Sequence, residues 1–258
     1  MSEAKLPMLQ SRLQRRLRVL NLGSLDEYQE YLFNGPRGEE ERVHFINAIT
    51  TNKTDFFREP KHFEYLVQTA LPALDPNGRQ AGPNRPWRFK LWCAGCATGE
   101  EPYTLSMVLS EYRQRRPAFD FSLLATDIST RALAYGQAGI YDQERIEPIA
   151  PALRSKYLLR SSDPSRAQVR IIPELRRHVS FHRLNFMDAT YPVKDTFEVI
   201  FFRNVMIYFD KATQESVIQK LCRSLAPGGY LFVGHSESLA GLNIPVTAVA
   251  TAVYRKPA

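Results

Sequence analysis

The stretch that decides the fold is Phe89-Lys-Leu-Trp-Cys-Ala-Gly-Cys-Ala-Thr-Gly-Glu-Glu-Pro-Tyr-Thr-Leu-Ser-Met107. An apolar run gives way to a turn of small residues, and the turn to a helix-forming segment. Such a turn lets backbone approach a ligand closely, and the helix N-terminus behind it offers unpaired N–H groups and a positive dipole end. In dinucleotide-type sheets the ligand lies in this crevice, beyond the carboxyl ends of the strands. A tight turn that binds nothing has the same look, because short glycine motifs recur by chance.

Downstream the chain alternates. Arg88 to Cys93 reads as a strand, Glu101 to Arg115 as a helix, Phe119 to Ala125 as a strand and Ser129 to Gln137 as a helix. Phe197 to Phe202 is a near-continuous apolar run of buried-strand type, followed by a helix over Lys211 to Leu225 and a strand over Tyr230 to Val233. This order predicts an α/β fold with a doubly wound, parallel sheet. Leu225-Ala-Pro-Gly-Gly-Tyr-Leu-Phe-Val233 reads as a helix end, a structural Pro-Gly-Gly turn and a strand. Between about residues 158 and 184, the β-prone pieces Val169 to Ile172 and Val179 to His182 interrupt the alternation and read as a small antiparallel insert.

Upstream the character is helical. Leu9, Leu13, Leu17 and Leu20 recur at three- and four-residue steps with arginines on the other face. Ser24 and Glu27 make a capping-box pair for a second helix toward Phe33, closed by Gly35-Pro36, and a third runs from Glu39 to about Ile49. The expected domains are a helical unit over residues 1–50, a helix from Pro60 to Leu71 with a Pro- and Gly-rich linker from Asp75 within 51–86, and the sheet domain over 87–258.

Composition sets limits. With 258 residues, 44% hydrophobic and 24% charged, the chain can bury a substantial core without staples. Three cysteines are too few for a disulfide framework and fit a reducing compartment. No secretory leader and no run of roughly 18 to 20 apolar residues is present, so the expectation is a cytoplasmic protein without membrane insertion. The net charge of +7 implies an acidic partner, and it is concentrated. Leu153 to Leu184 holds eight basic residues against two acidic ones, and Arg12, Arg15, Arg16 and Arg18 form a second cluster.

Several residues carry candidate chemistry, each beside a plainer reading. Cys93-Ala-Gly-Cys96 after Trp92 has the spacing of a thioredoxin-like redox site, yet Glu100 and Glu101 follow where a thiolate wants positive charge. A metal would need two more ligands, and no second CxxC or zinc-spaced His pair exists, so no metal is expected. Asp127, ending a strand about 30 residues beyond the turn, can take both ribose hydroxyls of an adenosine cofactor or cap the next helix. Phe201-Phe202-Arg203-Asn204-Val-Met-Ile-Tyr208 places polar residues at the same sheet end, facing a ligand crevice. For Arg58 in Thr50 to Glu59 base rates favour a surface arginine, and the plainer reading of the Arg12 to Arg18 cluster is a solvated helix face.

Taken together, RLQRRLRVLNL, TTNKTDFFREPKHF, WCAGCATGEEPYTLSM, ATDIS, FFRNVMIYF and LAPGGYLFVGHSESL resemble the CheR family of chemotaxis receptor methyltransferases over nearly the whole chain. The resemblance implies a Rossmann-like class I methyltransferase sheet carrying a small all-helical N-terminal domain and a small antiparallel β insert. It implies methyl transfer from S-adenosylmethionine to glutamate side chains on chemoreceptor cytoplasmic helices, giving methyl esters and S-adenosylhomocysteine, by a monomer that uses no metal. Carried over by position, Asn52, Thr54, Arg58, Glu101, Asp127, Asn185, Phe186, Arg203 and Asn204 line the cofactor site. Tyr208 joins them near the transferred methyl, Arg58 and Tyr208 orient a carboxylate, and Arg12, Arg15 and Arg18 meet the receptor.

Two departures qualify this. The N-terminal domain is shorter than the family's by about one helix, and the insert has Ser161-Ser162-Asp163 where receptor-tethering members carry Gly-x-Gly, so no pentapeptide tether is expected. The rival readings are a nucleic-acid methyltransferase, which lacks here the Asp/Asn-Pro-Pro-aromatic and Pro-Cys motifs after the Phe197 strand, and a non-catalytic receptor-binding module.

Overall fold

A computed structural model describes residues 6–75, 87–163 and 165–258, so most of the expected 75–86 linker lies outside the described residues. The chain divides into two compact units, Met1–Asn52 with Ser129–Arg131, and the remainder. No described helix is long and apolar enough to cross a membrane.

The first unit holds helices α1 (Leu6–Leu20), α2 (Leu25–Asn34) and α3 (Gly38–Ile49). The three- and four-residue leucine spacing does what it predicts: Leu9, Leu13, Leu17 and Leu20 form one stripe that packs with Tyr28, Leu32, Phe45 and Ile49. Ser24 caps α2, its hydroxyl accepting the Glu27 N–H at 3.1 Å. Glu27 reaches back one residue further than a standard capping box, accepting the Gly23 N–H at 2.8 Å. At Gly35 a Cβ would sit 2.4 Å from the Tyr31 carbonyl oxygen, so the turn into α3 requires glycine.

One carboxylate holds the three helices together. Glu41 of α3 is 2% exposed and accepts two hydrogen bonds from Arg16 of α1, at 2.7 and 2.6 Å, and one from the Tyr28 hydroxyl of α2 at 2.7 Å. A buried carboxylate is tolerated only when paired and hydrogen-bonded in this way. The α1 arginines are therefore not one solvated face. Besides Arg16, Arg12 donates to the Ile49 carbonyl at 2.9 Å and to Thr50 and Thr51 oxygens at 3.4 and 3.3 Å, capping the end of α3, while Arg15 and Arg18 are exposed.

The second unit opens with α4 (Lys61–Tyr65), which passes through a π turn at Leu66–Ala70 into α5 (Leu71–Leu74). In chain order there follow β1 (Trp87–Ala94), α6 (Glu100–Arg115), β2 (Phe119–Asp127), α7 (Thr130–Ala138), β3 (Ile140–Asp142), α8 (Pro151–Tyr157), β4 (Leu158–Arg160), β5 (Gln168–Ile171), α9 (Pro173–Arg176) and β6 (Val179–Arg183). Then come β7 (Phe197–Phe201), α10 (Lys211–Arg223), β8 (Leu225–Phe232), β9 (Thr247–Ala250) and β10 (Val253–Arg255). The main sheet has seven strands in the order β6-β2-β1-β7-β8-β10-β9. The first five are parallel, and β10 runs antiparallel to both its neighbours. Alternation along β1 sends Phe89, Leu91 and Cys93 into one core layer with Phe63, Leu105 and Phe201, and Trp92 and Ala94 into the other with Ile200, Leu221 and Leu231.

The doubly wound sheet and the helical unit agree with the sequence reading, and two local expectations do not. Val179 to His182 is not in the insert: as β6 it runs parallel beside β2, from Val179 opposite Leu123 to Arg183 opposite Asp127. The insert sheet is instead β3-β5-β4, recruiting Ile140–Asp142 from before α8. Short β-prone pieces carry no mark of which sheet they join, since partners are chosen by long-range packing. Pro227-Gly228-Gly229 is likewise not a turn ahead of a strand but a bulge within β8, between Leu225 opposite Phe197 and Tyr230 opposite Val199. Gly228 there has φ of +72°, a conformation that glycine adopts without steric cost.

The Glu41 cluster generates a pH prediction. Burial pushes its carboxyl up, but hydrogen bonds from Arg16 and Tyr28 and the Arg16 charge outweigh burial and leave it below its ordinary value. Its contribution to stability is therefore full above the unfolded carboxyl pKa of about 4.3 and is lost as pH falls through the lower folded value. In thermal melts followed by circular dichroism, wild type exceeds Glu41→Gln at pH 7, and the gap closes below about pH 4. A gap that stays constant down to pH 3 contradicts the role given to this carboxylate.

Candidate cofactor site

The chain leaves β1 toward β2 and β6 on one side and returns to β7 on the other, so the carboxyl ends of β1 and β7 flank a topological switch point. The quoted turn emerges there. Gly95, Ala97 and Gly99 have φ of +85°, +47° and +98°, and α6 begins directly after them. The Gly95 and Cys96 N–H groups both donate to the Thr126 carbonyl, at 2.7 and 2.9 Å, and the Ala97 N–H donates to the Asp127 carboxylate at 2.9 Å. A Cβ on Gly95 would lie 2.5 Å from Val205, so this glycine lets the turn close against the loop after β7. The cysteines are structural. Burial, then neighbouring carboxylates, push both thiols well above their ordinary range, and the Cys93 thiol donates to Glu101 at 3.2 Å.

Asp127 ends β2 and is 7% exposed. Its carbonyl accepts the Leu184 N–H at 3.0 Å, which brings Asn185 and Phe186 beside it. Asn185 folds on itself, its side-chain oxygen accepting the Met187 N–H at 3.0 Å and its amide donating to Asp188 at 3.1 Å. Phe186 meets Phe202 edge-on at 5.1 Å, and Lys220 of α10 fixes the segment by donating to the Phe186 and Asp188 carbonyls, each at 2.7 Å.

Arg203 follows β7 and is 4% exposed. Its guanidinium lies over Phe63 and Phe201, with centroids at 5.6 and 5.9 Å, and donates to Glu101 at 2.7 Å and to the Arg58 carbonyl at 2.6 Å. Glu59 completes the set at 3.0 Å. One buried cation thereby joins the end of β7, the start of α6 and the segment before α4. Its Nε–H is buried without a hydrogen-bond partner among the described residues.

The neighbouring loop is organised by Glu237, whose carboxylate accepts the N–H groups of Asn204 at 2.8 Å, Met206 at 2.8 Å and Gly234 at 2.6 Å. Asn204 itself has φ of +59°, and its side-chain amide lies 3.4 Å from Glu59. Phe57 and Glu59 are also left-handed, at +55° and +58°. Strain of this kind in ordinary residues persists where surrounding contacts over-determine it, and it clusters at functional sites.

The structure thus brings Glu101, Arg203, Asn204 and the Arg58 backbone together, with Asp127 and Phe186 along the same sheet edge. The Arg58 side chain itself lies on the Lys53 carbonyl at 3.4 Å, and Tyr208 is 53% exposed in a short turn after β7. Thr54 is tied in through its carbonyl, which accepts from Arg145 at 3.5 Å, and Arg145 also pairs with buried Glu100. Asn52 belongs to the helical unit, where its side chain accepts from the Thr50 hydroxyl at 3.4 Å. The sequence reading missed Glu59 and Glu237. The rule that marks Arg203, a polar residue just past a buried strand, applies equally to the residues after β8 and would have found Glu237. Glu59 carries no comparable signal.

Comparison with known proteins identifies the family. The profile described as CheR methyltransferase, SAM binding domain, matches residues 52–254, and that described as CheR methyltransferase, all-alpha domain, matches residues 1–50. Chemotaxis protein methyltransferase 2 of Pseudomonas aeruginosa is 38% identical over 256 residues, covering 98% of this chain and 86% of that protein. The chemotaxis protein methyltransferase of Borreliella burgdorferi is 38% identical over 99% of this chain and 88% of its own length, and that of Escherichia coli is 35% identical over 98% and 84%. The chain belongs to the CheR methyltransferase family and is an S-adenosylmethionine-dependent methyltransferase of chemotaxis.

Proposed function

We propose that the protein methylates glutamate side chains on the cytoplasmic domains of chemoreceptors, giving methyl esters and S-adenosylhomocysteine. The observation that carries this reading is the Arg203 cluster, which sets buried charge at the switch point beside a turn built for close backbone approach. The residues fit the cofactor. Asp127 ends β2 where ribose hydroxyls need an acceptor, and Phe186 offers an apolar ring along the same edge. Glu101 and the Arg203 Nε–H supply opposite charges for an amino acid's ammonium and carboxylate. Asn52, Thr54, Asn185 and Asn204 complete the proposed cofactor set.

S-adenosylmethionine supplies an electrophilic sulfonium methyl. A glutamate with a reference pKa of about 4.3 is already ionised at neutral pH, so the chain needs no general base. Its work is to orient that carboxylate and exclude water. Arg58 and Tyr208 are the residues proposed to do so, Arg58 by turning from the Lys53 carbonyl onto a carboxylate, a stronger acceptor. Receptor docking is proposed for Arg12, Arg15 and Arg18. Arg15 and Arg18 are exposed and available, whereas Arg12 also holds the end of α3.

Three outcomes follow. With methyl-labelled cofactor and receptor membranes, the label incorporated into receptor leaves as methanol in mild base; base-stable label excludes esters, and cofactor binding without incorporation favours a non-catalytic module. Arg58→Ala melts like wild type and loses roughly tenfold or more in kcat/KM, the scale of one charge-assisted hydrogen bond; near-normal transfer rejects the role of Arg58. Association with a receptor fragment weakens as salt rises, and Arg15→Glu with Arg18→Glu abolishes that dependence; salt-insensitive binding removes the arginines from the docking surface.

A further inference from the structure

Glu59, His62 of α4 and His235 in the loop after β8 each present one ligand atom, and these atoms lie within 4.8 Å of one another. The Glu59 carboxylate is 3.4 Å from His62 Nδ1, and the two imidazoles meet edge to face with centroids 4.6 Å apart. A tetrahedral ion held at about 2.0 to 2.1 Å places its ligand atoms roughly 3.3 Å apart. The widest separation must contract by about 1.5 Å to reach that geometry, and His235, which is exposed, can supply it by rotation.

A second, independent feature points the same way. The His62 imidazole is 2% exposed, and its polar contacts, Glu59 at 3.4 Å from Nδ1 and the Thr251 backbone, fall short of well-aligned hydrogen bonds. Buried polar side-chain atoms nearly always make good hydrogen bonds, and a buried imidazole with contacts this poor calls for an explanation. Glu59 and Glu101 both pair with one guanidinium, Arg203.

We propose that Glu59, His62 and His235 form a binding site for a divalent transition-metal ion of the Zn2+ class, which takes no part in the chemistry of methyl transfer but shares Glu59 with the Arg203 cluster. Two imidazoles and one carboxylate suit Zn2+ and leave a fourth position open, whereas Mg2+ and Ca2+ require oxygen ligands. The oxygen of Glu59 that faces His62 is the one 3.0 Å from Arg203, so an ion and Arg203 compete for it. Filling the site therefore loosens the Arg203 cluster and inhibits. This consequence rests on the proposed role of Arg203 in cofactor binding; the metal site itself does not.

The test uses the full, untagged chain freed of metal by chelation, with Co2+ as the probe. Wild type develops the visible absorption of tetrahedral cobalt, Zn2+ displaces it and excess Mg2+ does not. His235→Ala loses the band and at least tenfold in calorimetric Zn2+ affinity, His235→Asp retains part of both, and both variants methylate normally in chelator. No band in wild type, an equal band in His235→Ala, or a near-ultraviolet thiolate band that moves the ion to cysteine overturns the site. Zn2+ also weakens S-adenosylhomocysteine binding severalfold in wild type and not in His235→Ala; unchanged affinity with metal bound overturns the competition. Failure to bind S-adenosylhomocysteine without metal is instead a failure of the cofactor-site reading, and leaves the cobalt result to stand alone.

Discussion

A buried guanidinium must be neutralised by partners that cannot drift away, and Arg203 shows what that requirement does to a structure. Its partners come from the start of α6, from Glu59 and from a backbone carbonyl at Arg58. Phe57 and Glu59 accept left-handed backbone, and the aromatic rings of Phe63 and Phe201 close over the cation. The switch point of the sheet is thus held from three sides by one charge, and the glycine-rich turn has a fixed wall to close against.

Much of this architecture is legible in the amino-acid order because it is periodic or local. The leucine stripe of α1, the Ser24 cap and the strand, turn and helix of residues 87–115 each depend on neighbours within a few positions. What escapes is set by partners far away in sequence. Val179–Arg183 is a short β-prone segment whose sheet is decided by β2, and Ile140–Asp142 is a three-residue strand that exists only because β5 accepts it. The site divides in the same way. Arg203, Asn204 and Asp127 are visible as polar residues ending buried strands, whereas Glu59 matters through Arg203, and His62 through His235, across most of the chain. Positive φ at Phe57 and Glu59 has no compositional mark, whereas Asn204 is of a type that adopts it more readily.

The arginines carry a similar lesson about charge. On sequence alone the Arg12 to Arg18 cluster reads as one basic face. The fold spends two of its members internally, Arg16 on the buried Glu41 and Arg12 on the carbonyls that end α3. A count of positive residues therefore overstates the charge available to an acidic partner.

Glu237 takes three backbone amides, two from the loop after β7 and one from the loop after β8. The loop after β7 thus draws its acceptor from the loop after β8, and one carboxylate couples the two segments. A chimera that transplants the segment after β7 from a distant relative, while keeping the native HSES sequence, inherits a socket shaped for a different plug. Successful recombination between such enzymes should place both segments on the same side of the crossover.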